Sequence, residues 1–492
     1  MKSRISKILP FGALLACIGI FLALVLQSIN LPIWFDEGYT AYLVKGDFGE
    51  IWSLTAMDVH PPFYYFLLKI WSMIFGTSLV SLRMMSVFFG VVAIILLFFL
   101  VKKWFGKKPA MVATLAMAVS PFLVRYGMEM RMYMVILTIV LAATYVLTLA
   151  VEKNQKKWWV LYAILVALGM YTHYFTALIW LTHIIYLQFV LKKPVYKKPI
   201  IFAYLGAVLL YIPWIPALLG QMKSISGGFW IPPVTAETPV NFLTNIFFFK
   251  SAGELAGWSL LLAIVFFAVY ILVEKKAFKA IKKEKSQLIF LLMLFVVPPL
   301  AMILVSLIYK PMFVNRYLIP SSIIAWVLLG VSFAFLPLKK ACDKCVAIVS
   351  AIVIVATSVV GNVNILNRAP DSYVAEIVTK LQDTKLNLPI LADDIWVFFA
   401  SAIYADEKNP VYGTLETTFT NGWGSEEPMK YFEDKLERKD SQVYETLEDF
   451  LNENKEFWYV TEKENRFPEG VYIVLEREAT EHHFAYRLRC IE

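Results

Sequence analysis

Long apolar runs separated by short polar stretches organise the first three quarters of the chain. Runs of about 18 or more apolar residues are long enough to cross a bilayer as helices. Eleven are predicted, near residues 8–29, 78–101, 109–124, 132–151, 158–173, 174–191, 200–219, 254–273, 287–308, 317–337 and 345–361. The connections between them alternate in character. One set is short and basic: Lys102-Lys103 with Lys107-Lys108, Lys153 with Lys156-Lys157, Lys192-Lys193 with Lys197-Lys198, Lys275 through Lys285, and Lys339-Lys340 with Lys344. The other set is poor in lysine and holds the residue 30–77 loop, the short turn from Arg125 to Arg131, and the 220–253 loop. Positive charge marks the cytoplasmic side. The alternation therefore predicts a multi-pass protein of the cell (plasma) membrane, with its amino terminus cytoplasmic and its carboxyl terminus extracytoplasmic. The first run follows Lys2, Arg4 and Lys7 and reads as a retained signal anchor.

The pattern changes beyond about residue 362. Short apolar or alternating runs (Leu388 to Leu391, Phe457 to Val460, Val471 to Leu475, Phe484 to Leu488) sit between polar, helix-like stretches. This predicts a small extracytoplasmic α/β domain over 362–492, after a membrane domain over 1–361. The tail carries about twelve more acids than bases, although the whole chain is +8. A packing and solubility cap is the alternative role for it. Composition agrees with the membrane reading: 59% of residues are hydrophobic and 17% charged, which a soluble domain does not tolerate. Four cysteines make no disulfide framework, and Cys342-Asp-Lys-Cys345, in a lysine-rich loop without a second ligand pair, reads as incidental.

The unusual residues gather on the predicted outer face. Asp36-Glu37 follows Ile33-Trp34-Phe35 and precedes Tyr39, so the pair stands in an apolar, interfacial setting. Desolvation and a like-charged neighbour both disfavour an ionised carboxylate, which is how one becomes a general base near neutral pH. In an extended or turn conformation the two side chains diverge, giving each a different task. In Asp58-Val59-His60-Pro61-Pro62 the prolines stiffen the chain and push His60 toward extended geometry. Asp58 and His60 then share a face, where they suit hydroxyls, a phosphate or a divalent cation. The same prolines also suit the first turn of an interfacial helix.

Arginines make the second group. In "RYGMEMRMY", 125 to 133, Arg125 and Glu129 are four apart and can neutralise each other on a helix. Arg131 is a phosphate clamp in prospect, or an arginine snorkelling to lipid head groups. His173 in "YTHYF" and Arg316 in "NRYLIP" end spans on the same face and carry the same ambiguity between structure and ligand. Arg83, in "SLRMMS", lies deeper in its apolar run as a partner for an acid of the first loop.

Together these residues resemble the GT-C glycosyltransferases of the protein O-mannosyltransferase type, with their bacterial relatives the lipid A aminoarabinose transferases. The matching features are Phe35-Asp36-Glu37, Asp58-Val59-His60-Pro61-Pro62, Arg83 with Ser86, Arg125-Tyr126 through Arg131-x-Tyr133, Tyr171-Thr172-His173-Tyr174, and Arg316-Tyr317. They span residues 8 to 340. After Pro62 this chain has Phe63, Tyr64, Tyr65 and Phe66 rather than the longer pattern of the eukaryotic protein mannosyltransferases. The resemblance implies a polytopic α-helical GT-C fold and a hexosyl- or pentosyltransferase. It implies transfer from a polyprenyl-phosphate sugar donor to a lipid, a cell-wall polymer or a protein at a bacterial cell envelope. Carried over, Asp36 is the general base and Glu37 completes the catalytic pair. Asp58 and His60 shape the substrate pocket, and Arg131 and Arg125 hold the donor phosphate. Arg83, Tyr126, Glu129, Tyr133, His173 and Arg316 complete the substrate-binding set. No cofactor is required, although Asp58 and His60 are candidate ligands for a divalent cation; no nucleic-acid partner is expected. Two rival readings are a flippase for lipid-linked sugars, which would favour midplane sites and inverted repeats, and an anchored binding protein, which leaves the acid pair unexplained.

Overall fold

The computed structural model describes residues 2–191, 197–225, 231–249, 284–336, 338, 340–367, 374–414, 441–468, 470, 472–480 and 483–491. The expected span 254–273 lies outside the described residues. Among these residues, seven helices are long and apolar enough to cross a membrane, and one bent pair makes an eighth if taken as a single span. The chain forms two compact units: 1–29, 83–215 and 230–368 make one, and 30–82, 216–229 and 369–492 make the other.

The first unit is helical. It contains α1 (Lys2–Leu26), α5 (Leu79–Phe105, from residue 83), α6 (Lys107–Ala118), α7 (Pro121–Gly127), α8 (Tyr133–Lys153), α9 (Lys156–Thr172), α10 (Thr176–Ile185), α11 (Lys197–Tyr211), α13 (Thr238–Phe248), α14 (Lys285–Ile308), α15 (Ile319–Ala334) and α16 (Ala341–Leu366). The expected span at 109–124 is not one straight helix. It breaks after α6, and α7 departs by 59°. Pro121 brings no backbone N–H to the break. The Val119 carbonyl there accepts from Ser358 Oγ at 2.7 Å and Asn362 Nδ2 at 3.3 Å, both on α16. A second proline is handled the same way. Pro298, inside α14, cannot donate to the carbonyl of Leu294 four residues back; Ser321 Oγ of α15 donates to it instead, at 2.7 Å. In lipid such substitutions are obligatory, because no water is at hand. The Cys342–Cys345 stretch is also helical: α16 begins at Ala341, and Asp343 earns its place by accepting from the Lys340 N–H at 3.0 Å.

The second unit joins the first loop to the tail. The loop folds into α2 (Phe35–Lys45), α3 (Phe48–Met57) and α4 (Phe63–Phe75), and α12 (Ile215–Ile225, from residue 216) belongs to the same unit. A reciprocal cap starts α3, with Glu50 N–H donating to Asp47 Oδ1 at 2.8 Å and Asp47 N–H to Glu50 Oε2 at 2.7 Å. The tail holds α17 (Val374–Asp383), β1 (Ile390–Ala392), α18 (Ile395–Tyr404), β2 (Val411–Thr414), β3 (Ser441–Tyr444), α19 (Leu447–Glu453), β4 (Glu456–Thr461), β5 (Tyr472–Ala479) and β6 (Phe484–Cys490). The six strands form one sheet in the order β3-β2-β1-β4-β6-β5. The first four are parallel, with Ile390 opposite Val411 and Trp458; β6 and β5 continue antiparallel. Leu391, Phe450, Phe457, Tyr486 and Leu488 fill the core on one face. The four expected apolar runs became β1, β4, β5 and β6, while β2 and β3 are too short and polar to announce themselves.

Where β1 ends, Asp393 is buried but fully engaged. Its carboxylate accepts from the Tyr459 hydroxyl at 2.5 Å and Thr461 Oγ1 at 2.8 Å, and pairs with Arg466 Nε at 3.2 Å. Asp394 caps α18, accepting from the Trp396 and Val397 N–H groups at 2.9 Å. Burial raises the Asp394 pKa more than the capping bonds lower it, and Glu462 and Asp393 add to the rise. The contribution of a carboxylate raised in this way is complete below its unfolded pKa and is lost as pH climbs through the folded value.

Two outcomes follow for stability. Ser321→Ala strands the Leu294 carbonyl and costs about 1–3 kcal/mol, and adding Pro298→Ala, which restores an N–H, recovers most of it; melting of the detergent-purified protein reads both. At pH 7 Asp394→Ala costs about 1 kcal/mol through the lost cap. Asp394→Asn keeps the acceptor without the charge and equals or exceeds the parent, an advantage that disappears in melts at acid pH.

Candidate functional site

The acid pair sits on the first turn of the helix α2, rather than in the extended or turn conformation considered from sequence. Helical neighbours are about 100° apart around the axis, so the side chains still diverge. Glu37 is 1% exposed, whereas Asp36 remains partly open. The positive end of the helix favours both charges. Thr40 Oγ1 donates to the Asp36 carbonyl at 2.7 Å. At the other end of α2, Lys69 Nζ donates to the Val44 carbonyl at 3.1 Å, completing orphan carbonyls with a cation.

Asp58 and His60 do meet. Asp58 caps the carboxyl end of α3, and its Oδ2 lies 3.3 Å from His60 Nδ1. Asp58 is buried and His60 half-buried. Pro62 is the N-cap of α4, so the stiffened segment and the proline-started helix are one feature. A residue not anticipated from the sequence holds this corner. Gln221 Nε2 donates to the Thr55 carbonyl at 2.7 Å and the Ala56 carbonyl at 3.2 Å, satisfying the last turn of α3 beside Asp58. Its one sequence signal is an amide at the end of an apolar run. Among the described residues no three His, Cys, Asp or Glu side chains gather as a metal site. The Asp58–His60 pair alone falls short of the roughly four or more ligands that zinc and calcium take.

The arginine cluster belongs to the helical unit. Arg125 Nη1 lies 2.7 Å from Glu129 Oε2, both side chains nearly out of solvent; the expected pair forms, but with Glu129 just beyond the end of α7 rather than on the helix. Arg131 is buried two residues on. Two arginines and one glutamate leave this short segment with net positive charge. Ser86 Oγ donates to the Glu129 carbonyl at 2.6 Å, and Arg83, one turn earlier on α5, donates from Nη1 to the Ile29 carbonyl at 2.8 Å. The Arg83-x-x-Ser86 spacing thus works as one helix face gripping two segments. Tyr126 packs edge-to-face on Tyr133, with ring centroids 4.8 Å apart, and on Phe122 at 5.0 Å.

His173 ends α9, and its ring lies 4.7 Å from that of Tyr317, whose own ring stacks on Phe175. The Arg316 guanidinium stands 5.7 Å from the Tyr317 ring centre. The two weakest sequence signals are therefore one aromatic cluster. Sequence reasoning missed His183, buried on α10, which meets Tyr162 at 2.9 Å and Thr144 at 3.3 Å in a polar network between helices.

With this geometry, comparison with known proteins is informative. The sequence model of the dolichyl-phosphate-mannose-protein mannosyltransferase family matches residues 59–218. No curated protein matches by sequence. Among solved structures, apo ArnT from Cupriavidus metallidurans is 12% identical with a TM-score of 0.61, covering 97% of this chain and 98% of its own. The chain shares the fold of this ArnT structure. ArnT from the same organism bound to undecaprenyl phosphate matches at 12% identity and a TM-score of 0.56, over 96% of this chain and 97% of its own. The Archaeoglobus fulgidus oligosaccharyltransferase tethered to an acceptor peptide matches at 12% and 0.55, over 94% of this chain and 70% of its own. The structural match thus runs over the tail as well as the helices.

Removing one partner of a buried ion pair costs more than the pair contributes. Arg125→Ala is expected to lower stability by about 3–5 kcal/mol, and Arg125→Met combined with Glu129→Gln to recover most of it, as read by thermal melting in detergent.

Proposed function

We propose that the chain is a membrane glycosyltransferase that moves a sugar from a polyprenyl-phosphate-linked donor to a hydroxyl-bearing acceptor on the extracytoplasmic face. The observation that carries this reading is the pairing of an accessible carboxylate, Asp36, with a buried one, Glu37, on the first helix after the first span of a GT-C fold. The net-positive segment around Arg131 supports it, because a lipid phosphate becomes a good leaving group once its charge is met. Undecaprenyl phosphate bound to a protein of the same fold points the same way.

Asp36 takes the proton of the acceptor hydroxyl as its oxygen attacks the anomeric carbon. The bond from that carbon to the phosphate oxygen breaks, and the electron pair leaves with the lipid phosphate. Arg131 and Arg125 neutralise the charge that collects there. One base and one leaving phosphate make a single displacement with inversion. Glu37, held out of water, orients the helix start and its neighbours rather than meeting the acceptor. Asp58 and His60 shape the pocket through polar contacts, and Arg83, Tyr126, Glu129, Tyr133, His173 and Arg316 line or brace the donor side. The sugar is a hexose or a pentose, and the acceptor a lipid, a cell-wall polymer or a protein. The amino terminus is cytoplasmic and the tail domain extracytoplasmic.

The test is transfer of label from a panel of radiolabelled undecaprenyl-phosphate sugars to cell-envelope acceptors by the purified protein in proteoliposomes. Wild type transfers label from one panel member. Asp36→Asn loses about 10²–10⁴-fold in turnover and still binds that donor, and Arg131→Ala loses about 10²–10³-fold. Labelled lipid that changes leaflet without any transfer would replace the transferase with a flippase.

A further inference from the structure

The helix that carries the acid pair rests on the tail domain through a contact that tolerates no side chain. A Cβ placed on Gly38 would stand 2.7 Å from the Phe399 carbonyl oxygen, 2.9 Å from its carbon and 3.1 Å from the Ala400 nitrogen. These are backbone atoms of α18, and they cannot swing aside. Glycine inside a helix is locally unfavourable, so its presence one residue after Glu37 goes with this close approach. Aromatic side chains surround the contact. Phe35 meets Trp396 with centroids 4.0 Å apart, Tyr39 meets Phe399 at 5.3 Å and Tyr42 meets Phe399 at 5.2 Å. The Tyr404 hydroxyl accepts from the Ile33 N–H at 3.0 Å, tying the entry to α2 to the far end of α18. α18 is itself anchored: Asp394 caps its start, and Asp393 bonds to Tyr459 and Thr461 of the adjacent strand.

We infer that the tail domain is the positioning frame for the acid pair, with Gly38 as the positioning residue and Trp396 and Phe399 as its seat. The inference rests on the reading of Asp36 as the base. The sheet fixes Asp393, Asp393 and Asp394 fix the start of α18, and α18 fixes the first turn of α2 at backbone distance. A displacement of about 1 Å at a catalytic group costs up to about 100-fold in rate, whereas donor affinity has no reason to follow it. This gives the acidic tail a task in turnover beyond capping.

The experiment compares wild type, Gly38→Ala, Trp396→Ala and Asp36→Asn as full-length protein, with two readouts. The first is amide hydrogen exchange over residues 35–45, which needs no substrate. The second is kcat and donor KM with the undecaprenyl-phosphate sugar that wild type turns over. Gly38→Ala is expected to raise exchange in α2 and lower kcat about 10- to 100-fold while donor KM stays within about twofold. Trp396 is 46% exposed, so Trp396→Ala keeps the fold and shows the same split more weakly; it decides the matter if Gly38→Ala does not fold. Wild-type exchange and kcat in both variants, or a KM that rises as kcat falls, would overturn the positioning role. Full turnover by Asp36→Asn would instead remove the base on which the inference rests, and the exchange data would still report whether α18 holds α2.

Discussion

Charged and polar groups taken out of water must be compensated where they stand, and this constraint shapes both units of the protein. In lipid no solvent completes a hydrogen bond left open by a proline or a helix break. The helical unit therefore lends hydroxyls and amides from one helix to the carbonyls of another: Ser321 to Leu294, and Ser358 and Asn362 to Val119. The same constraint acts on ions. Arg125 is buried beside Glu129, Asp58 beside His60, and Asp393 among Tyr459, Thr461 and Arg466. Each of these groups is a local arrangement with few alternatives, which makes it rigid, and rigidity is what a chemical site needs.

This compensation also sorts the candidate residues by what they can do. Glu37 and Asp36 are sequence neighbours with different access to water, so one suits bracing and the other suits proton transfer. Arg125 spends its charge on Glu129, while the segment as a whole stays positive through Arg131. Ser86 holds the Glu129 carbonyl of the cluster, and Arg83 holds the Ile29 carbonyl.

Close approach supplies the remaining order. Gly38 brings α2 against the α18 backbone, and Gly330 of α15 does the same against Ala113 of α6, where a Cβ would lie 2.6 Å from the Ala113 Cα. Small residues serve this purpose between membrane helices because lipid offers no hydrophobic gain for association, and packing must replace it. At Gly38 the same device works within the unit that contains the sheet.

The sequence alone determined the membrane character, most of the apolar helices and the acid, arginine and Asp-x-His-Pro-Pro motifs. These depend on hydropathy, on the alternation of lysine between connections, and on local spacing, all of which are one-dimensional. The Arg125–Glu129 pair was legible from its spacing, although Glu129 lies just beyond the end of α7 rather than on it. Four strands of the tail showed as apolar runs. The sequence left the acid pair as extended or turn, because no local signal there marks the start of α2. It gave no sign of the 59° bend between α6 and α7 within 109–124, because hydropathy does not register direction. Only the tertiary structure decided that Gln221 completes α3, that His173 and Arg316 share Tyr317, and that residues 30–82 cluster with a tail that begins at residue 369. Those facts rest on packing between distant segments, where a backbone approach at Gly38 or a freed carbonyl selects its partner by shape and reach, and neither quantity is written in the order of the residues.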